Sequence, residues 1–125
     1  MTLALRFLMA ASLATSAISH AFLYLHGYGQ VPVVGPGFLL QASVLAALAV
    51  LIALGGPIWL WVAAMMTSAG SLIAFGLSRT VGLFGFTERG WEPAPHAVIS
   101  AVAELVTLGV FFAAVLRLRR SPGLG

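Results

Sequence analysis

A chain of 125 residues that is 61% hydrophobic and 7% charged, with a mean hydropathy of +1.08, cannot hide its apolar surface as a soluble domain, since ordinary globular chains carry about 25% charged residues. Its net charge of +3 comes from six arginines against three glutamates, and arginines scattered over membrane flanks make no basic face for a nucleic acid. The absence of Cys excludes disulfides, thiolate metal sites and cysteine nucleophiles.

The first apolar run extends from Leu3 to about Gly27, interrupted by Arg6, His20 and His26. A secretory signal peptide is the rival interpretation, because a basic start precedes small residues at Ser16 and Ala17. The run continues past them through AFLYLHGYG. At ~1.5 Å per residue it can cross a ~30 Å hydrocarbon core, so a spanning helix over 3–27 is expected.

GYGQVPVVGPG, residues 27–37, holds four Gly and two Pro and is expected to break the helix. A second span is predicted over 38–54, with Gln41 and Ser43 as its polar residues. Gly55-Gly56-Pro57 makes a very short break, and Pro57 suits a first helical turn, where its missing N–H costs nothing. Helices 2 and 3 should therefore form a tight antiparallel hairpin. The third span is expected over 57–77, with Trp59 and Trp61 placed as an interfacial aromatic belt. A loop over 78–94 leads to a fourth span over 95–116, and RLRRSPGLG closes the chain as a polar tail.

The expectation is an all-α fold: one integral membrane four-helix bundle spanning 1–125, with both termini on one side. That side collects Arg6, Arg117, Arg119 and Arg120, whereas the other has Arg79 and Arg89 offset by Glu88 and Glu92. The positive-inside rule then places both termini in the cytoplasm, and the protein in the inner membrane as a multi-pass protein. The expected surroundings are the lipid bilayer, with membrane protein partners or a homo-oligomer.

Helix 1 carries Ser12, Ser16, His20 and Tyr24 at i, i+4 spacing, and helix 4 carries Ser100, Glu104 and Thr107 on one face. These faces, with Gln41, Thr67 and Ser71, should point inward, since lipid offers polar groups no partners. For the Ser and Thr positions the plain interpretation is close helix packing with interhelical hydrogen bonds. Glu104 is costlier, because a carboxylate near the bilayer centre costs a few kcal/mol on insertion scales. Either a protonated Glu104 bonds to His20, Gln41 or a hydroxyl and locks helices together, or it carries a proton or binds a ligand. His20 is the natural acid–base partner, but it lies in the outer third while Glu104 is near the midplane. Their depths differ by several ångströms. The three histidines share no face and show no metal-ligand spacing, so no metal site is expected.

The loop TVGLFGFTERGWEPAP combines glycine bends with apolar anchors. Phe84, Phe86, Glu88, Arg89, Trp91 and Glu92 are its candidate capping residues. Two roles are open: an interfacial cap at headgroup level, or a lid over the region of His20 and Glu104. Ion pairs among Glu88, Arg89 and Glu92 would contribute little there.

RTVGLFGFTE followed by a helix with a central Glu, together with HAFLYLHGYGQVPVVGPGFLLQAS, resembles small four-helix membrane proteins of unknown function from high-GC Gram-positive bacteria. The resemblance runs from His20 to Leu116 and implies a fold and a lineage, not an activity or a cofactor. No catalytic triad or phosphate loop is present, and catalysis is not expected. Three functions fit: an accessory or assembly subunit of a membrane complex; a quinone, haem or proton-binding protein using His20, Gln41, Thr67, Ser71, Ser100 and Glu104; or an oligomeric small-solute transporter.

Overall fold

In a computed structural model, described for residues 2–90 and 95–120, the chain forms α1 Leu3–Leu25, a 3-10 turn Tyr28–Gln30, α2 Val34–Ala53, α3 Ile58–Arg79 and α4 His96–Arg120. All four helices are long and apolar enough to cross a membrane. They form an all-helical bundle with the start of α1 and the end of α4 at one end of it, the terminal end. The loop after α3 lies at the other, the loop end.

Local chemistry explains the boundaries. Thr2 caps α1, its hydroxyl accepting from the Leu5 N–H at 3.2 Å. Gly27, at φ 117°, turns the chain out of the helix. The expected break over 27–37 is shorter than its composition suggests: it holds the 3-10 turn, and α2 starts at Val34 instead of Phe38. Gly35 and Pro36 fall in the first turn of α2, where backbone N–H groups lack intrahelical acceptors and proline removes nothing. The entry is strained, because Val33 sits at φ 66° with the Val34 N–H donating to the Pro32 carbonyl at 2.7 Å. A β-branched residue seldom adopts that conformation. At its far end α4 continues to Arg120 instead of stopping near Leu116. Arginine is a good helix former and its charge suits a helix C-terminus.

Packing is uneven. Helix α1 lies closely along both α2 and α4, whereas α3 touches α2 and α4 less extensively. The expected hairpin of α2 and α3 turns at Gly55-Gly56-Pro57, but the two helices pack on each other less extensively than α1 packs on α2. Toward the loop end the two helices face each other across a cavity lined by Phe38 and Gln41 on one side and Thr67 and Ser71 on the other. The terminal half is instead filled with hydrocarbon: Met9, Leu13, Leu45, Ile52, Trp61 and Ala64 form a buried cluster. Trp61 thus departs from the expected aromatic belt. Residues two apart project to opposite sides of a helix, so Trp59 faces outward while Trp61 is in the core.

The bundle carries its large apolar side chains outward, including Ile18, Leu25, Leu40, Ile73, Leu105 and Phe112. In its loop-side half it buries Ser16, Ser19, His20, Ser68, Ser100 and Glu104. That polarity suits lipid as solvent, where internal hydrogen bonds replace those water would make.

Candidate functional site: a buried His–Glu pair on the floor of a cavity

Helices α1 and α4 run antiparallel, and their polar stripes meet in register. Ser12 Oγ lies 2.7 Å from Thr107 Oγ1. One turn on, Ser16 donates to Glu104 Oε1 at 3.1 Å. Ser100, four residues before Glu104 on α4, donates to the same oxygen at 3.0 Å, and Ser71 of α3 does so at 2.7 Å. Three hydroxyls from three helices therefore converge on one carboxyl oxygen. Oε2 makes no hydrogen bond among the described residues, and Glu104, 2% exposed, lines the cavity.

His20 stands beside this cluster. Its Nδ1 is 2.8 Å from the Ser16 carbonyl oxygen, which can only accept, so Nδ1 carries a hydrogen. Nε2 lies 3.3 Å from Ser71 Oγ and 3.7 Å from Glu104 Oε1. The depth difference anticipated between the two residues exists at the backbone, where Ser16 is level with Glu104, and the side chains close it. Helical Cα–Cβ bonds tilt toward the N-terminus. In antiparallel helices His20 therefore leans toward the terminal end and Glu104 toward the loop end, and they converge.

Chemically, a carboxyl oxygen and an imidazole nitrogen 3.7 Å apart are close enough to pass one proton between them with no change in the net charge of the pair. Hydroxyl donors on Oε1 stabilise negative charge there. Loss or gain of one further proton makes the site charged, and in a water-poor interior that change needs a compensating ligand.

Gln41 and Thr67 line the cavity without touching Glu104. The Gln41 amide donates to the Thr67 carbonyl at 3.2 Å, and the Thr67 hydroxyl donates to the Ala63 carbonyl at 2.7 Å. That leaves the Gln41 carbonyl as an acceptor. The cavity measures about 440 Å³, in the range of roughly 300–1,000 Å³ typical of small-molecule sites. Phe38, Met66, Phe75, Phe84 and Phe86 contribute its apolar walls. Phe38 also packs edge-on against His20, centroids 5.4 Å apart.

The outer loop forms part of that wall. Leu83 and Phe86 exchange both backbone hydrogen bonds at 2.8 Å, closing a two-residue turn with Phe84 at φ 50° and Gly85 at φ 79°, the left-handed pair of a type I′ turn. Leu83, Phe84 and Phe86 line the same cavity as Glu104. Glu88 accepts from the Tyr28 hydroxyl at 2.8 Å, while its N–H donates to the Ser78 carbonyl at 2.8 Å. The expected local pairing of loop charges is thus replaced on Glu88 by a tie to the α1–α2 turn. Arg89 is exposed, with its backbone N–H 3.3 Å from Glu88 Oε1. Trp91 and Glu92 lie outside the described residues.

Several residues around the site had little sequence signal. Ser16 was legible as the residue one turn before His20, yet its direct bond to Glu104 depends on the α1–α4 register. Phe38, Phe75 and Met66 are ordinary apolar residues in sequence. Arg79, at the mouth, stacks on Phe75 with its guanidinium carbon 3.9 Å from the ring centroid and donates to the Gly90 carbonyl at 3.1 Å. His26 and His96 do not join the site; both stack on Phe22, at 3.8 and 4.0 Å between centroids.

Phe84 offers a direct test of the turn. A left-handed conformation costs a non-glycine residue roughly 1–2 kcal/mol, and Asn tolerates it best. Phe84→Asn is expected to raise stability by roughly 0.5–1 kcal/mol, read as a higher Tm, because the ring is 72% exposed and has little packing to lose. A fall in Tm of similar size would show instead that the ring holds the loop down.

No protein-family model matches the chain, and neither a curated protein nor a solved structure matches it.

Proposed function

We propose that this is a small multi-pass protein of the bacterial inner membrane, with cytoplasmic termini, that binds a small amphipathic molecule between its helices. The observation that carries this reading is the union of a buried His20–Glu104 pair and an aromatic-walled cavity in one site. A carboxyl that served only to lock helices together would need no open volume beside it. Intramembrane ionisable groups that face a cavity mark ligand or proton sites by default. The apolar walls take the body of the ligand, and Glu104 and His20 take its polar head. A haem ligand fits less well, since Ser71 Oγ at 3.3 Å and Glu104 Oε1 at 3.7 Å already neighbour His20 Nε2, the nitrogen an iron would need. A catalytic role has no support beyond the pair.

The accessory-subunit function is the competing outcome. A cavity-filling variant separates them. Gly70 lines the cavity and a Cβ there meets nothing within 4 Å, so Gly70→Leu adds bulk to the site without displacing backbone. A neutral probe, 4-pentylphenol, is expected to stabilise the wild-type protein in bilayer nanodiscs and to lose at least tenfold in affinity with Gly70→Leu. Equal binding by the two, or none by either, together with larger membrane subunits that co-purify, would favour the accessory role.

A further inference from the structure

The donor and acceptor balance of the cavity says which head group it takes. Every hydroxyl proton at the floor is already committed: Ser16, Ser71 and Ser100 to Glu104 Oε1, and Thr67 to the Ala63 carbonyl. Higher up, Ser78 donates to the Phe75 carbonyl at 2.7 Å. What remains on the cavity-lining residues are two acceptors, Glu104 Oε2 in its ionised form and the Gln41 carbonyl oxygen, beside the second N–H of the Gln41 amide. The Arg79 guanidinium stacks on Phe75 at the mouth. A ligand group that reaches Glu104 Oε2 must itself donate a hydrogen bond. Negative charge on Glu104, solvated on its far oxygen by three hydroxyls, makes a cationic donor the best match, and Phe38 and the other rings offer their faces to a cation.

We infer that the cavity selects a lipophilic amine in its protonated form, seated with its N–H on Glu104 Oε2 and exchanged there against a proton. The inference rests on the proposal that the cavity binds a ligand and adds its chemical class. Where Glu104 holds a proton, that hydrogen sits on Oε2, because three hydroxyls donate to Oε1. The ammonium cation then takes its place, so that a carboxyl and an ammonium become a carboxylate–ammonium pair and one proton is released to solvent. No covalent bond forms and no electron moves. The titratable and charged groups facing Glu104 are few. Helix α1 contributes His20, α2 has no titratable side chain, and the one charged residue of α3 is Arg79, eight residues beyond Ser71 and so about 12 Å along the axis. Glu88 acts favourably on the charge of Arg79 at the mouth. Helix α4 itself adds His96, which is stacked on Phe22.

The sign of the pH dependence follows from competition for one oxygen. Alkylamines stay protonated well above neutrality, as lysine does at a pKa of about 10.4. Lowering the pH therefore leaves the ligand unchanged and adds a competitor at Glu104, so cation binding weakens as pH falls, by up to about tenfold per pH unit.

The test uses full-length protein in nanodiscs and two probes of similar shape: 4-pentyl-N,N-dimethylbenzylamine and its uncharged isostere 4-pentyl-isobutylbenzene. The expected result is at least tenfold tighter binding of the amine at pH 8, a loss of that preference toward pH 5, and its abolition in Glu104→Gln with the isostere unaffected. Should Glu104→Gln fail to fold, the pH series on wild-type protein and the charge-retaining Glu104→Asp variant give the same answer. Equal binding of the two probes at every pH would overturn the amine assignment while leaving the cavity a ligand site. Binding of neither probe, with 4-pentylphenol also failing, would overturn both.

Discussion

Replacing Glu104 with leucine is expected to lower the unfolding free energy by about 2 kcal/mol, and adding His20→Leu is expected to recover part of that loss. Three hydroxyls from three helices give up their shared acceptor, and interhelical hydrogen bonds in membranes average about 0.6 kcal/mol each. The loss is bounded because serine hydroxyls can turn to carbonyls of their own helices, as Ser12 does toward Met9 at 2.9 Å. With Glu104 gone, His20 is 5% exposed and has lost its one carboxylate neighbour. A polar group buried without its partner destabilises more than a hydrocarbon replacement of the pair does. Equilibrium unfolding of the wild-type, both single variants and the double variant completes a cycle. The expected coupling is about 0.5–3 kcal/mol, the range for residues in one network. Additive single effects would mean that the two side chains do not act on each other.

Gly35→Ala should cost about 2–3 kcal/mol, against the ordinary rule. Alanine normally stabilises a helix by up to about 1 kcal/mol over glycine. Here a Cβ would stand 2.5 Å from the Gly29 carbonyl oxygen and 2.6 Å from that of Tyr28. Both obstacles are backbone, so the 3-10 turn must move away from α2, and overpacking of this kind costs roughly 1–3 kcal/mol on its own. The displacement carries Tyr28 with it, and with Tyr28 the hydroxyl that holds Glu88. Loss of stability should therefore come with faster proteolysis within the loop after α3. Gly37→Ala is the control, since a Cβ there meets nothing within 4 Å. An unchanged or raised Tm for Gly35→Ala would show that the turn does not press on α2.

Much of this architecture was legible in the residues, for physical reasons that also mark where legibility ends. Long apolar runs separated by Gly and Pro announce helices in lipid, and four such helices are found. Boundaries were harder. Pro36 signals a break, yet a proline in a first turn is harmless, so α2 begins before it. The i, i+4 stripes placed Ser16, His20, Ser100 and Glu104 on inward faces, because periodicity is a property of one helix. Their meeting at a single oxygen is a property of register between helices, which periodicity does not encode. The same limit explains Gln41, whose amide bonds to the backbone at Thr67 and not to Glu104. The cavity was invisible for a further reason: it lies where α2 and α3 pack less extensively than α1 and α2 do, and the short Gly-Gly-Pro turn suggested the opposite.

The loop end shows how strain and function coincide. Val33 and Phe84 are the non-glycine residues at positive φ among the described residues, and both line the cavity. Non-glycine residues at positive φ persist only where surrounding structure holds them. Here they position the two turns that frame the mouth.

Whether the cavity is a ligand site is tested most directly by photolabelling in the bilayer. An amphipathic diazirine probe with a protonated amine head, added to the protein in nanodiscs and mapped by mass spectrometry, should mark Phe38, Gln41, Met66 and Phe75, and excess unlabelled amine should suppress those labels. Labels confined to outward-facing residues such as Ile18 and Leu105, unaffected by competitor, would contradict the account.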